Sequence, residues 1–554
     1  SFPTRRSSDL QISTPDGVFR LIESGWVKLE TEQEIAAHRS RGLQSNEKRL
    51  PNILSLITNE QFEMITTDPK RPVIIQGSAG SGKTTVALHR LGWLLHKGNS
   101  HARAENTRVI VMNKSLQIYV SSTLPSMGIN GVDAVTFNSW ALSIIRNATR
   151  EKIFFKHREL PEFIEKIKFS SGILGALSQF VIQKERDIDT AISREFLTNE
   201  KLFSVWKESY KKALQPRLKD FKYDVSKSDL PIKEKQVALD YVQNLLTSQE
   251  DYIGDLYELL SDEKLLGSSF SEEPKLKEHL SYLSRMVDKN RKNNQLDYYD
   301  MSLILRLIQL KYGGLPNKNG GISEFDHLVV DEAQDFGPVE FSIMMDSVGD
   351  KRDLTIVGDV SQKILFSRKF IGWENILKNL DIKKDTLIEL EVSFRCTVPI
   401  MNLARKIEGR KDPVAFGRPG NPVVWHRAVD QNDFLETLSG WVNSLIKKDP
   451  YKLIALICRY PKQAMELKDE LEKMISCEVR VAYRDQFSFE PGVMISNIHQ
   501  IKGLEFDAVA LINPSEELYP SKNIESRNMI YVGVTRAQED LLVIGRDSFS
   551  KSLS

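Results

Sequence analysis

The residues best equipped for chemistry lie in the run GSAGSGKTT, from Gly77 to Thr85. Gly77, four residues, then Gly82-Lys83-Thr84 have the Walker A spacing. In such a loop glycines let backbone N–H groups close around phosphate oxygens at a helix N-terminus, a lysine reaches the β- and γ-phosphates, and a hydroxyl reaches Mg²⁺. A nucleotide site is therefore expected on Gly77, Ser78, Gly80, Gly82, Lys83, Thr84 and Thr85, with Thr84 also facing the metal. The alternative is an accidental glycine turn. The flanks argue against it, because a β-branched strand (Val73, Ile74, Ile75) precedes the loop and a helix with Val86, Leu88, Leu91, Leu94 and Leu95 on one stripe follows.

A second cluster is Asp331-Glu332 after the apolar run Leu328 to Val330, followed by Gln334 and Asp335. One carboxylate at a strand end can hold Mg²⁺ through water while its neighbour polarises an attacking water, which is what phosphoanhydride hydrolysis needs. Gln61, on a helix just before the first strand, can offer a donor and an acceptor to the edge of adenine. Gly358-Asp359 and Gln362 end another strand. Arg395 follows the strand Leu387 to Leu390, where its planar fork suits a phosphate under charge development. Phe137 and Trp140 can stack on bases, with core packing the alternative for either.

The elements that must position these groups alternate strand and helix. Arg108 to Met112, a short strand before Thr136, Leu328 to Val330, Leu354 to Val357 and Leu387 to Leu390 predict one parallel sheet with helices on both faces, whose ligands sit beyond the carboxyl ends of the strands. Pro422 to Trp425, Leu453 to Cys458, Val493 to Asn497, Ala508 to Ile512 and Leu541 to Ile544 predict a second α/β unit. Its chemistry gathers in HQIKGLEF, His499 to Phe506, and in RNMIYVGVTRA, a helix that carries Arg536 out of its end. Between Leu142 and Gly321 strand signals give way to charged helical periodicity. LLGSSFSEE and GGLPNKNGG read as loops there, and the lysines of Lys211 to Lys222 stand among acids, as on solvated helix faces.

In this order the motifs resemble those of the superfamily 1 helicases of the UvrD/Rep/PcrA type, over roughly residues 51 to 142 and 321 to 545. The resemblance implies two RecA-like parallel-sheet domains of the P-loop NTPase class, with ATP bound between them and single-stranded nucleic acid across their top. It implies ATP-dependent 3′-to-5′ translocation and unwinding of DNA. Residue by residue, it assigns Gln61 to adenine and Phe394 to a place beside it, Lys83 and Thr84 to phosphates and Mg²⁺, Asp331 to Mg²⁺ and Glu332 to the attacking water. Gln362 would sense the γ-phosphate, Arg395 and Arg536 would be arginine fingers, and Glu505 would face the ribose. Nucleic acid would meet Asn113, Phe137, Trp140, Phe366, Arg368 and His499.

The chain departs from the family pattern at Leu365 and Ser367, which replace an aromatic pair around Phe366, and at Val111, Asn138 and Asn497. These departures bear on base stacking, worth about 1–3 kcal/mol per base, and leave the ATP residues untouched. The resemblance also implies a domain division: residues 51–142 and 321–392 form the first RecA-like domain (1A), 143–320 a helical insertion (1B), and 393–554 the second (2A). Only about a hundred residues separate Arg395 from Asn497, so the accessory domain 2B is expected to be absent. VALHRLGWLLHKG, YVSSTLPSMG and IGWENILKNL are similar to the HelD branch, whose members remodel stalled RNA polymerase. RNA polymerase is thus an alternative partner.

Composition is that of a globular protein: 554 residues, 41% hydrophobic, 27% charged and net charge +1. Overall charge names no partner, so a nucleic-acid contact must come from a local groove. No apolar run reaches membrane-spanning length. Cys396, Cys458 and Cys477 lack metal or disulfide spacing and, with no signal peptide in view, suggest a reducing, cytoplasmic compartment. Residues 1–10, SFPTRRSSDL, lack an initiator Met and look like a reading frame of a sequencing adapter, so the natural chain is expected to begin further upstream. Residues 11–50 are read as short amphipathic pieces and a linker.

Overall fold

The computed structural model describes residues 59–68, 72–77, 81–149, 155–156, 160–270, 275–293, 295–319, 321–350, 353–359, 387–390, 396–410, 417–482, 487 and 489–553, and the backbone of 11–14, 17–22 and 25–29. The last three are strands β1 (Gln11–Thr14), β2 (Gly17–Ile22) and β3 (Gly25–Leu29), paired antiparallel in sequence order. This meander corrects the reading of that stretch as amphipathic pieces. Its signal was present, since Asp16-Gly17 and Ser24-Gly25 stand between short runs rich in β-branched and aromatic residues.

Helix α1 (Asn59–Thr66) leads into β4 (Val73–Gly77), α2 (Lys83–Leu94), β5 (Thr107–Val111), α3 (Lys114–Ser126), β6 (Asp133–Thr136) and α4 (Phe137–Ala148). After the insertion come β7 (His327–Val330), β8 (Leu354–Gly358) and β9 (Leu387–Leu390). These strands form a six-stranded sheet in the order β9-β4-β8-β7-β5-β6, every pair parallel. Both faces are covered, which is why its strands are near-continuous apolar runs. Ile75, Val109 and Val329 pack with Val86, Leu88 and Leu91 on one face. Ile74, Ile110, Leu328 and Ile356 pack with Phe137, Ile304 and Leu307 on the other.

The second unit comprises α5 (Val398–Ile407), β10 (Val424–Arg427), α6 (Gln431–Lys448), β11 (Leu453–Cys458), α7 (Pro461–Leu471), β12 (Val479–Val481), β13 (Gly492–Asn497), β14 (Phe506–Ile512), α8 (Ile524–Val534) and β15 (Ala537–Gly545). Its sheet is again six-stranded and parallel, in the order β10-β15-β14-β11-β13-β12. The period-2 alternation of strands divides its core. Ala455, Ile457, Val509 and Leu511 face one layer, while Ile454, Leu456, Ala508 and Ala510 face the other.

The described residues between α4 and β7 are mostly helical and fall into two parts. Helices such as Ser171–Phe196 and Asp300–Tyr312 share the core of the first sheet. A separate cluster around Trp206, Phe221 and Val242 holds a lobe of its own. Two details correct the sequence reading. LLGSS of the first expected loop is the end of helix Glu263–Ser269, and the second brackets a two-stranded pairing of Leu315–Pro316 with Ile322–Ser323. No helix among the described residues is long and apolar enough to cross a membrane.

Candidate active site where the two sheets meet

The site is built at the ends of β4, β7 and β8. Gly77 closes β4, and a Cβ there would stand 2.9 Å from the carbonyl oxygen of Leu390, so only glycine fits. Gly82 takes φ +83°, the left-handed conformation that turns the loop into α2. Lys83 Nζ donates to Gly77 O at 2.8 Å and lies 3.8 Å from Asp359 Oδ2. Gln61 is buried and donates through Nε2 to Ser81 O at 3.1 Å. The buried Ser81 hydroxyl has no hydrogen-bond partner among the described residues.

Thr84 Oγ1 donates to Asp331 Oδ2 at 2.8 Å, joining two groups 247 residues apart in sequence. Burial, and secondly the adjoining Glu332, pushes the Asp331 carboxyl up to about 7, although the Thr84 hydrogen bond and Lys83 favour its charged form. Glu332 is itself buried, with φ 53° and ψ 42°, a left-handed conformation rare for a non-glycine residue and one that costs on the order of 1–2 kcal/mol. Gln334 bridges the set: its Nε2 donates to Glu332 Oε2 at 2.5 Å while its Oε1 accepts from Asp359 N at 2.9 Å.

The second sheet reaches this site through the loop between β13 and β14. Lys502 Nζ donates to Asp335 Oδ1 at 2.7 Å and lies 3.9 Å from Glu332 Oε2. Ser115 Oγ donates to Gln500 O at 2.6 Å and Asn113 Nδ2 to Lys502 O at 3.2 Å.

Residues 57–369 match the model of the UvrD/REP helicase N-terminal domain, and residues 480–548 that of the UvrD-like helicase C-terminal domain. The chain belongs to the UvrD/REP helicase family. The family is one of ATP-binding NTPases, in keeping with the loop and carboxylates just described. The chain is 22% identical over 433 residues to a probable DNA helicase II homolog of Mycoplasma capricolum, covering 76% of this chain and 51% of that protein. It is 25% identical over 352 residues to the ATP-dependent DNA helicase srs2 of Schizosaccharomyces pombe, covering 63% and 34%. With the ATP-dependent DNA helicase Rep of Buchnera aphidicola subsp. Acyrthosiphon pisum it shares 32% identity over 118 residues, 19% of this chain and 16% of that one. The chain therefore spans about half or less of the length of these relatives.

Other expected residues of this UvrD/REP family chain fall in different places. Phe137 and Trp140 are buried edge to face at 5.8 Å, and contact Phe336 and Phe325 at 6.0 Å each. Core packing, the alternative open from the sequence, is thus what their rings do. Asn113 caps α3, accepting from Leu116 N at 2.8 Å, and its amide grips the second sheet's loop. Arg536 is buried and donates to Val532 O and Leu504 O at 3.1 Å each, while Glu505 accepts from Gln538 at 3.0 Å. His499 is exposed, its backbone N–H held by Asn497 Oδ1 at 3.1 Å. Ser78, Gly80, Gln362, Phe366, Arg368, Phe394 and Arg395 lie outside the described residues.

Sequence reasoning missed Lys502 and Arg459. Arg459 follows β11 on the same side as His499, with its guanidinium 5.3 Å from the Tyr460 ring and 5.2 Å from Tyr519. Tyr460 is half exposed. A cation beside an exposed aromatic ring at a strand end was a legible signal.

Proposed function

We propose that this chain carries an ATP-dependent superfamily 1 DNA motor that moves 3′-to-5′ along single-stranded DNA and couples ATP hydrolysis to unwinding. The observation that carries the reading is the convergence of the Thr84–Asp331 pair, Glu332 and Lys502 on one point, with three of the four groups from the first sheet and one from the second. In the domain division that goes with it, residues 51–142 and 321–392 form 1A, 143–320 form 1B and 393–554 form 2A.

Mg²⁺ fits the donor set. Half-buried Thr84 and buried Asp331 offer adjacent oxygens, and Mg²⁺ is usually held by one or two protein oxygens together with phosphates and water. When bound, it neutralises phosphate charge. The chain's own residues do the rest. Lys83, once turned from Gly77 O, holds the terminal phosphates, Ser81 and the N–H groups at the start of α2 complete the cradle, and Gln61 recognises the base. Glu332, fixed by Gln334, orients the attacking water and accepts its proton. Arg395 and Arg536 serve as the fingers, Gln362 as the sensor, and Phe394 and Glu505 contact the nucleoside.

DNA lies against His499, Arg459 and Tyr460 on the second unit, with Phe366 and Arg368 contributing from the first. Strand displacement on duplexes with a single-stranded tail tests this. ATP-dependent displacement from a 3′ tail and not a 5′ tail is expected. Failure to displace either, with hydrolysis accelerated by RNA polymerase instead of DNA, would replace it with the HelD-like reading.

A further inference from the structure

Lys502 belongs to the second sheet's loop, yet its ammonium is buried among carboxylates of the first. It lies 2.7 and 2.6 Å from the two oxygens of Asp335 and 3.9 Å from Glu332 Oε2. Around it the loop is held from both sides. Ser115 and Asn113 of the first unit bind the carbonyls of Gln500 and Lys502, whereas Arg536 and Gln538 of the second bind Leu504 O and the Glu505 carboxylate. Gly503 takes φ +82° and approaches so closely that a Cβ there would stand 3.1 Å from the Leu116 methyls and 3.5 Å from Glu332 Oε1.

The charge balance gives this contact a consequence. Asp331, Glu332, Asp335 and Asp359 are all buried, and Lys83 and Lys502 are the cations that the described ion pairs place among them. Lys83 comes from the same sheet as the acids. Lys502 comes from the other, so it leaves whenever the loop lifts.

We infer that Lys502 is a positioning residue: docked, it holds Asp335 and Glu332 in the hydrolytic arrangement, so that Glu332 is correctly placed only while the loop bearing His499 rests on the first unit. The inference depends on Glu332 being the hydrolytic base, as proposed above. It gives the nucleic-acid side of the second unit a direct mechanical link to the water-activating carboxylate.

The test compares Lys502→Met, the double variant Lys502→Met/Asp335→Asn and Glu332→Gln in the full chain, through kcat and KM for ATP with saturating single-stranded DNA, fluorescent-nucleotide affinity and thermal midpoint. Lys502→Met is expected to lower kcat about 100-fold while KM and nucleotide affinity stay within about 2-fold. Adding Asp335→Asn removes the carboxylate left without its cation, and is expected to restore the thermal midpoint but not kcat. Recovery of kcat together with the midpoint would overturn the inference, since Lys502 would then merely neutralise Asp335. If Lys502→Met does not fold, the double variant carries the same test. A fully active Lys502→Met beside an inert Glu332→Gln sinks the inference alone, whereas a fully active Glu332→Gln sinks the reading of the base and the inference with it.

Discussion

The two six-stranded parallel sheets share a scaffold and differ in the charge they gather. The first ends in acids, with Asp331 after β7 and Asp359 after β8, joined by Glu332 and Asp335, and answers them with Lys83. The second sets out Arg459 after β11, His499 and Lys502 after β13, and Arg536 before β15. Under the proposed function neither set would hydrolyse a phosphoanhydride alone, because the acids need cations across the cleft to balance them and to meet phosphate charge. In the proposed reading, this division places the chemistry on one sheet and its control on the other.

The largest test of that division removes the base. Glu332→Gln keeps the shape and loses the charge, so turnover should fall about 10²- to 10⁴-fold while ATP still binds, measured by steady-state hydrolysis and nucleotide titration. Near-normal turnover would break the assignment of chemistry to the first sheet. Next comes Trp140→Ala. With the ring packed against Phe137 and Phe325, the loss should be about 3–5 kcal/mol of stability by denaturant titration, with DNA affinity of the folded fraction unchanged. A stable variant with weak DNA binding would return Trp140 to the nucleic-acid surface.

Acid should weaken the first sheet. His89, on α2, and His327, on β7, are the histidines that the described residues bury. Burial pushes them down to about 4 and about 3, the latter helped by Arg90, from an ordinary 6.5. The unfolded chain therefore takes up these two protons first as pH falls below about 6.5, which lowers the stability of the first unit toward pH 4, while Asp331, pushed up to about 7, is protonated first in the folded state and offsets part of that loss. Region-resolved hydrogen exchange at pH 7 and pH 5 checks this: protection in the first unit should fall with pH, and unchanged protection there would contradict it. The smallest effect is expected from Arg459→Ala, which should weaken single-stranded DNA binding several-fold and reduce the salt slope by about 0.7, leaving DNA-independent hydrolysis intact.

Much of this arrangement was legible in the sequence. Central strands such as Leu328 to Val330 before Asp331 and Leu453–Cys458 before Arg459 are apolar runs followed by a charged residue, and the Walker spacing needs no tertiary information. Side-chain direction was less legible: Phe137 and Trp140 follow a strand end as stacking residues do, and only the packing of Phe336 and Phe325 turns them inward. Lys502 was harder still. A lysine between Ile501 and Gly503 has no pattern of its own, and its partner Asp335 lies 167 residues away. The β1–β3 meander was less legible for a different reason, its turn-type dipeptides Asp16-Gly17 and Ser24-Gly25 standing among residues that name no chemistry.

Steady-state ATP hydrolysis by the full chain, with and without single-stranded DNA and beside a Lys83→Ala control, tests the division of labour most directly. Strong stimulation by DNA, abolished in Lys83→Ala, is the predicted result. Lys83-dependent hydrolysis indifferent to DNA would contradict it, because the second sheet's cations would then not answer to nucleic acid at all.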